Sequence, residues 1–125
     1  MSTRANIIIK DKTDKLYFYR HSDGYPSCTG EDLKEFVQGY KTSLRTDLGQ
    51  SAGWLIVRGH MEYLEGAFTG KPSPSKGMYT WKVGAYEPTT CIHGDIEYLY
   101  TIDLDTRKLT CEDVYSKNIE FTEEF

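Results

Sequence analysis

Two short stretches of this chain hold the side chains best suited to chemistry. The first, Tyr19-Arg20-His21-Ser22-Asp23-Gly24-Tyr25-Pro26, delivers a cation, an imidazole and a carboxylate into a glycine-containing loop. Loops anchored by rigid strands are where binding and catalytic groups concentrate. Arg20 can grip a phosphate through two parallel N–H bonds, His21 can exchange a proton near neutral pH, and Tyr25 can stack on a flat ring. The same residues also read as plain structure: Asp23 and Gly24 make a turn, Pro26 stiffens it, and His21 caps a hydrogen bond. The second stretch is His93-Gly94-Asp95-Ile96-Glu97, with Tyr86, Thr89 and Thr90 shortly before it. Side chains two apart on an extended chain point to one side, so His93 and Asp95 can cooperate.

Should the two loops meet, they would pool two imidazoles and two carboxylates, the raw material of a divalent metal site or an acid/base pair. Neither stretch has a local ligand spacing such as H-x-x-x-H, so no metal and no other cofactor is expected. Gly66, Gly70, Lys71 and Ser73 fail as a phosphate loop because the glycines are four apart and Pro72 follows the lysine. A serine-hydrolase elbow, a dinucleotide fingerprint and an EF-hand loop are absent from the sequence. His60 reads as an ordinary helix residue.

The elements that must position these groups follow from periodicity. Ile7, Ile8 and Ile9 mark a buried strand within Thr3 to Lys10, and Asp11 to Lys15 is a polar turn. Leu16, Phe18 and Arg20 then alternate with Tyr17, Tyr19 and His21, the period of a two-faced strand. The two strands should form a hairpin, which would bring Arg4 near Arg20 and His21 as a small positive cluster. Thr29 with Asp32 approximates a capping box ahead of Leu33, Phe36, Val37, Tyr40 and Leu44, which recur at helical spacing. A second helix, capped by Ser51, carries Trp54, Leu55, Met61, Tyr63 and Leu64, although Gly53 and Gly59 weaken it. Residues 66–77 have turn composition. Tyr79, Trp81 and Val83 alternate as a third strand, and Gly84 to Asp95 is a loop. Ile96 to Asp103 is the clearest strand, with a turn at Asp105 and Thr106 leading into Lys108 to Tyr115. Glu120 to Phe125 is an edge strand or a fraying tail. The order ββααβββ predicts an α+β fold: an antiparallel sheet with two helices packed on one face.

Composition sets the outer bounds. With 125 residues, 38% hydrophobic and 27% charged, the chain is ordinary globular material and one domain over 1–125 is expected. The net charge of −4 argues against a duplex nucleic acid partner, which demands a broad basic footprint. No apolar run approaches the ~20 residues needed to cross a bilayer, so the expectation is a cytoplasmic protein with no membrane partner. Three widely spaced cysteines, Cys28, Cys91 and Cys111, suit a reducing compartment. Ten Tyr, five Phe and two Trp are the compositional outlier and point to half-buried sheet faces and oligomer interfaces, hence a homo-oligomer.

Thr3-Arg4-Ala5, the stretch from Tyr19 to Pro26, and His93-Gly94-Asp95-Ile96-Glu97-Tyr98 together resemble a group of small proteins encoded by bacteriophages, prophages and gut bacteria. The likeness runs from Thr3 to about Asp103. Ser22 stands where the group more often has a bulky Trp, which weakens any stacking role for that position. The resemblance carries over no catalytic residue, and it implies a class of work: compact phage accessory proteins are often counter-defence factors, acting as sponges for nucleotide signals or as inhibitors that occlude a host enzyme. The host cell cytoplasm would then be the site of action.

Three functions compete. In the first, the chain sequesters a phosphorylated nucleotide-like small molecule. Arg4 and Arg20 would hold phosphate, His21, Asp23, His93 and Asp95 would hydrogen-bond, and Tyr25, Trp81 or Tyr86 would stack on the base. In the second, an acidic, Tyr-rich surface blocks a host defence enzyme. In the third, His21 and His93 act as acid and base of a metal-independent phosphodiesterase. Binding is preferred over catalysis.

Overall fold

The computed structural model describes residues 2–62 and 84–125. Among these residues it is an α+β fold built on one six-stranded sheet. In chain order, β1 (Ala5–Lys10) and β2 (Lys15–Arg20) are followed by α1 (Glu31–Gln38) and α2 (Leu48–Met61). A short β3 (Glu87–Thr89), β4 (Tyr98–Asp103), β5 (Lys108–Asp113) and β6 (Ile119–Glu124) complete the set. The strand order is β3-β2-β1-β4-β5-β6. Every neighbouring pair is antiparallel except β1 and β4, which run parallel with Ala5 opposite Tyr98 and Lys10 opposite Asp103. A parallel pair needs a long crossover; here the chain between β1 and β4 includes β2, both helices and β3.

Alternation along the strands sorts the two faces. Ala5, Ile7 and Ile9 of β1, Phe18 of β2, Tyr100 and Ile102 of β4 and Leu109 of β5 point into the core. Leu33, Phe36 and Val37 of α1 and Leu55 of α2 close it from above. Burying these side chains supplies roughly 1.5 to 3 kcal/mol each, which is what holds the helices to the sheet. The opposite face carries Asn6, Ile8, Tyr17 and Tyr19, and their ladder partners Leu99 and Thr101.

Helix starts differ from the sequence reading. Thr29 does not cap α1: its hydroxyl donates to the Asp23 carbonyl at 2.6 Å, and a wide turn over Pro26–Gly30 leads into the helix without a side-chain cap. Ser51 does not cap α2, which begins at Leu48; Ser51 is buried and its Oγ donates to the Arg45 carbonyl. Neither residue stands at the N-cap, which is Gly30 for α1 and Asp47 for α2, and each hydroxyl instead donates to a carbonyl six residues before it. Gly59, a weakness by propensity, lies at a close approach. A Cβ there would sit 2.8 Å from the Tyr86 nitrogen, and one at Gly84 would sit 2.6 Å from the His60 nitrogen. The two glycines let α2 and the chain entering β3 touch backbone to backbone, sealed by Ala85 N–H donating to the Gly59 carbonyl.

β4 and β5 pair antiparallel about the turn expected at Asp105 and Thr106, and the segment expected as an edge strand or a tail contributes most of β6. Glu112 pairs with Ile119 while Cys111 pairs with Phe121, which leaves Glu120 as the extra residue of a bulge. The expected strand over Tyr79, Trp81 and Val83 lies outside the described residues. No described helix is long and apolar enough to cross a membrane.

Candidate functional site

The two chemistry-bearing loops meet at Tyr19. Its ring lies on the helix-free face of the sheet, one position before the end of β2. His93 stacks on it with centroids 4.0 Å apart and planes 17° from parallel, while His21 meets it edge-on at 4.6 Å. The Tyr19 hydroxyl donates to Asp95 Oδ2 at 2.7 Å, and Arg4 Nε approaches the same oxygen at 3.4 Å. His21 Nε2 lies 2.9 Å from Glu87 Oε2, and His93 Nε2 lies 2.8 Å from the Thr89 hydroxyl. One phenol thus gathers Arg4, His21, Glu87, Thr89, His93 and Asp95 from three separate parts of the chain.

The sequence explains why these groups arrive together. Tyr19 and His21 are two apart on an extended chain, so they share a side. Glu87 is the ladder partner of Tyr19 and Thr89 that of Tyr17, so β3 adds its two polar side chains to the same face. The loop before β4 is pinned by Asn6, whose side chain is fully buried. Its amide donates to the carbonyls of Phe18 at 2.9 Å and Cys91 at 3.3 Å, and its oxygen accepts from the His93 backbone N–H at 2.7 Å. A buried amide with this many partners is a rigid clamp, because leaving any one unpaired costs about 1 to 3 kcal/mol.

Electrostatically, the centre of the cluster is the Tyr19 hydroxyl. Burial pushes its pKa up to about 12, aided by the bond to Asp95 and the charges of Asp95 and Glu87, with Arg4 opposing. Tyr19 is therefore a fixed donor at neutral pH. Arg4 and Asp95 are each about half exposed (42% and 51%), and the His21 side chain is 66% exposed, so a ligand can reach them.

Arg20 does not join this cluster. The alternation of β2 turns it to the opposite face, where it is 3% exposed. Its guanidinium donates to Glu62 Oε2 at 2.8 Å, to Glu62 Oε1 at 3.2 Å and to the Ser22 carbonyl at 2.9 Å, and it lies 5.1 Å above the Tyr86 ring. The expected positive cluster of Arg4, Arg20 and His21 is thus split between two faces. Tyr86 is 1% exposed, with its hydroxyl bonded to Asp32, and offers no surface for stacking on a base. Asp23 adopts φ 57° and belongs to a turn in which Gly24 N–H donates to the Thr3 carbonyl at 2.9 Å. Gly24 is required there, since a Cβ would meet Ala5 Cβ at 2.9 Å. Tyr100 Oη donates to the Gly24 carbonyl and locks the turn from beneath. Tyr25 is exposed and reaches toward Asp23, whose carboxylate raises its pKa. Trp81 lies outside the described residues.

Asn6 and Glu87 lie outside the two stretches singled out in the sequence, while Tyr19 and Thr89 lie in or beside them without an assigned role. The i, i+2 relation of Tyr19 to His21 was a usable signal; the other three depend on cross-strand pairing that sequence periodicity does not specify. Among the described residues, no three or more His, Cys, Asp or Glu side chains group to hold a metal.

A second surface feature lies between the helices. A hollow of about 520 Å³ is floored by Phe36 and Leu44, with Trp54, Val57 and Met61 of α2 on its wall. Arg58 at its edge is tied to Asp32 and Glu35.

Comparison with known protein families, curated proteins and solved structures returned no match to this chain.

Proposed function

We propose that the chain binds and sequesters a phosphorylated, nucleotide-like small molecule, in the manner of a phage counter-defence sponge, and that it does so at the Tyr19 cluster. The observation that supports this reading is the meeting of Arg4, His21, His93 and Asp95 around one phenol. Arg4 approaches Asp95 through Nε, which leaves its two terminal nitrogens to face a phosphate as a pair. His21 supplies an exposed imidazole beside it, and the Tyr19–His93 stack supplies a fixed aromatic edge. Arg20 takes no part in this reading; it is a structural cation.

Binding is favoured over hydrolysis by the way the imidazoles are held. His21 is engaged by Glu87 and His93 by Thr89, each through Nε2, so the two rings are oriented by different partners rather than toward one point. A phosphodiester cleaved by paired imidazoles needs both nitrogens aimed at one phosphate. The same reading takes the protein as a cytoplasmic homo-oligomer in which a second copy covers Trp54, Val57 and Met61, which are 41–51% exposed.

Calorimetry with nucleoside monophosphates, ADP-ribose and cyclic dinucleotides tests the proposal. At least one should bind with its heat lost in Arg4→Ala, while Arg20→Ala, where still folded, keeps it. Absence of heat with every ligand removes the reading.

A further inference from the structure

We infer that the outer flank of β6 is a docking edge for an extended, lysine- or arginine-rich segment of another protein, which pairs with it as a seventh strand. This surface is separate from the Tyr19 cluster and does not depend on it. β3 and β6 are the two ends of the strand order, and they are not equally open. β3 has three residues, and the middle one, Pro88, has no N–H to offer. A short edge with a proline is a guarded edge. β6 has six residues, the length of the central strands, and contains no proline.

The ladder shows which backbone groups β6 turns outward. Phe125 N–H donates to the Arg107 carbonyl at 3.0 Å, so by alternation Glu123 with Leu109 and Phe121 with Cys111 are the other positions that exchange hydrogen bonds with β5. Thr122 and Glu124 then direct N–H and C=O to the open flank. The Glu124 carbonyl lies 3.5 Å from the Gln38 side-chain amide. No described residue bonds the Thr122 N–H or carbonyl, and Thr122 is exposed. Ile119, 58% exposed, adds an apolar side chain at the start of the same edge. An open row of this kind takes up an extended chain through main-chain hydrogen bonds, while the side chains alongside choose which chain.

Charge makes that choice here. From Ile119 to Phe125 the strand carries Glu120, Glu123 and Glu124 and no cation. Across the ladder β5 adds Lys108, Glu112 and Asp113, so the strip stays acidic. A second copy is a poor occupant. Two-fold antiparallel pairing centred on Thr122 would set Glu120 of each copy opposite Glu124 of the other, and like charges directly opposite are destabilising. A strand with Lys or Arg at those positions turns both contacts attractive.

The test uses the intact chain and a capped peptide of about nine residues alternating Lys and Thr, followed by fluorescence anisotropy and by amide exchange at Thr122. The peptide should bind and slow exchange of the Thr122 amide tenfold or more. The same peptide methylated at every backbone nitrogen keeps its charge but has no N–H to donate, and should bind tenfold or more weakly. Glu120→Lys combined with Glu124→Lys should transfer the preference to a Glu/Thr peptide. Equal binding of the methylated peptide, or no protection at Thr122, shows attraction to charge alone and overturns strand pairing. No binding of the Lys/Thr peptide also overturns it. Protection at Thr122 that rises with protein concentration without peptide, alongside a dimer mass in sedimentation, overturns the basic occupant in favour of a second copy.

Discussion

Replacing Arg20 with alanine separates a structural cation from a ligand-binding one. The guanidinium is 3% exposed and makes three hydrogen bonds, two to Glu62 and one to the Ser22 carbonyl. Breaking a fully buried ion pair by removing one partner costs about 3 to 5 kcal/mol, mostly because the other charge is left without compensation. The Glu62 side chain is 29% exposed and can recover part of its hydration, which sets the expectation at the lower end. Losing the bond to Ser22 and the contact with Tyr86 acts in the same direction. The net expectation is a loss of about 3 kcal/mol, and for a domain of this size each kcal/mol moves the melting temperature by roughly 3 to 5 °C. Arg20→Ala should therefore melt about 10 °C below the parent, with a lower urea midpoint and an unchanged slope. Glu62→Gln alone should cost less, and the double variant should fall short of the sum, because the two side chains share one interaction. A melting temperature within about 2 °C of the parent would refute this reasoning and return Arg20 to the list of exposed, ligand-facing cations.

Two further outcomes follow from the packing. Gly84→Ala places a methyl 2.6 Å from the His60 nitrogen and 2.8 Å from the Gly59 carbonyl carbon, backbone that cannot move aside cheaply. A loss of about 2 kcal/mol or more in urea denaturation is expected, and an unaffected midpoint would mean that α2 and the chain entering β3 do not touch. Alkaline pH probes Tyr19, whose pKa is about 12 in the fold and near 10 when unfolded. The folded state then holds a proton that the unfolded chain has released, so stability present below pH 10 is lost as pH rises toward 12, by at most about 3 kcal/mol. Tyr19→Phe should flatten that decline in denaturation curves recorded between pH 9 and 12. An identical slope in the variant would place the alkaline sensitivity elsewhere.

Local signals in the sequence specified much of this fold. The alternation of Leu16 to His21 already contained the separation of Arg20 from His21, since residues one apart on a strand face opposite ways. Proximity of strand ends suggested a shared positive cluster, and the strand period decides against it. The hairpin of β4 and β5 was legible because its apolar residues alternate cleanly and Asp105 and Thr106 mark the turn. Long-range features were not. Nothing near Asn6 announces that its amide will clamp the loop at Cys91 and His93, and the parallel pairing of β1 with β4 has no local turn to signal it. Thr29 and Ser51 had the right chemistry for caps, but the helices begin at Glu31, two residues after Thr29, and at Leu48, three residues before Ser51, so neither hydroxyl is placed to accept from the first amides. Gly59 was scored against its helix, because propensity measures an isolated helix and not one that must lie against another backbone.

The parallel junction at the middle of the sheet also governs when the molecule can exist. Ala5–Lys10 and Tyr98–Asp103 come from opposite ends of the sequence, so the ribosome must deliver nearly the whole chain before this seam can close. Until then the first hairpin has an open flank of isoleucine backbone, an invitation to nascent neighbours on the same message. Tyr19 is made early and Asp95 late, so the cluster around the phenol cannot assemble until the segment before β4 has been made. A fragment ending before β3 would carry Arg4, Tyr19 and His21 without Glu87, Thr89, His93 and Asp95, the groups that meet them.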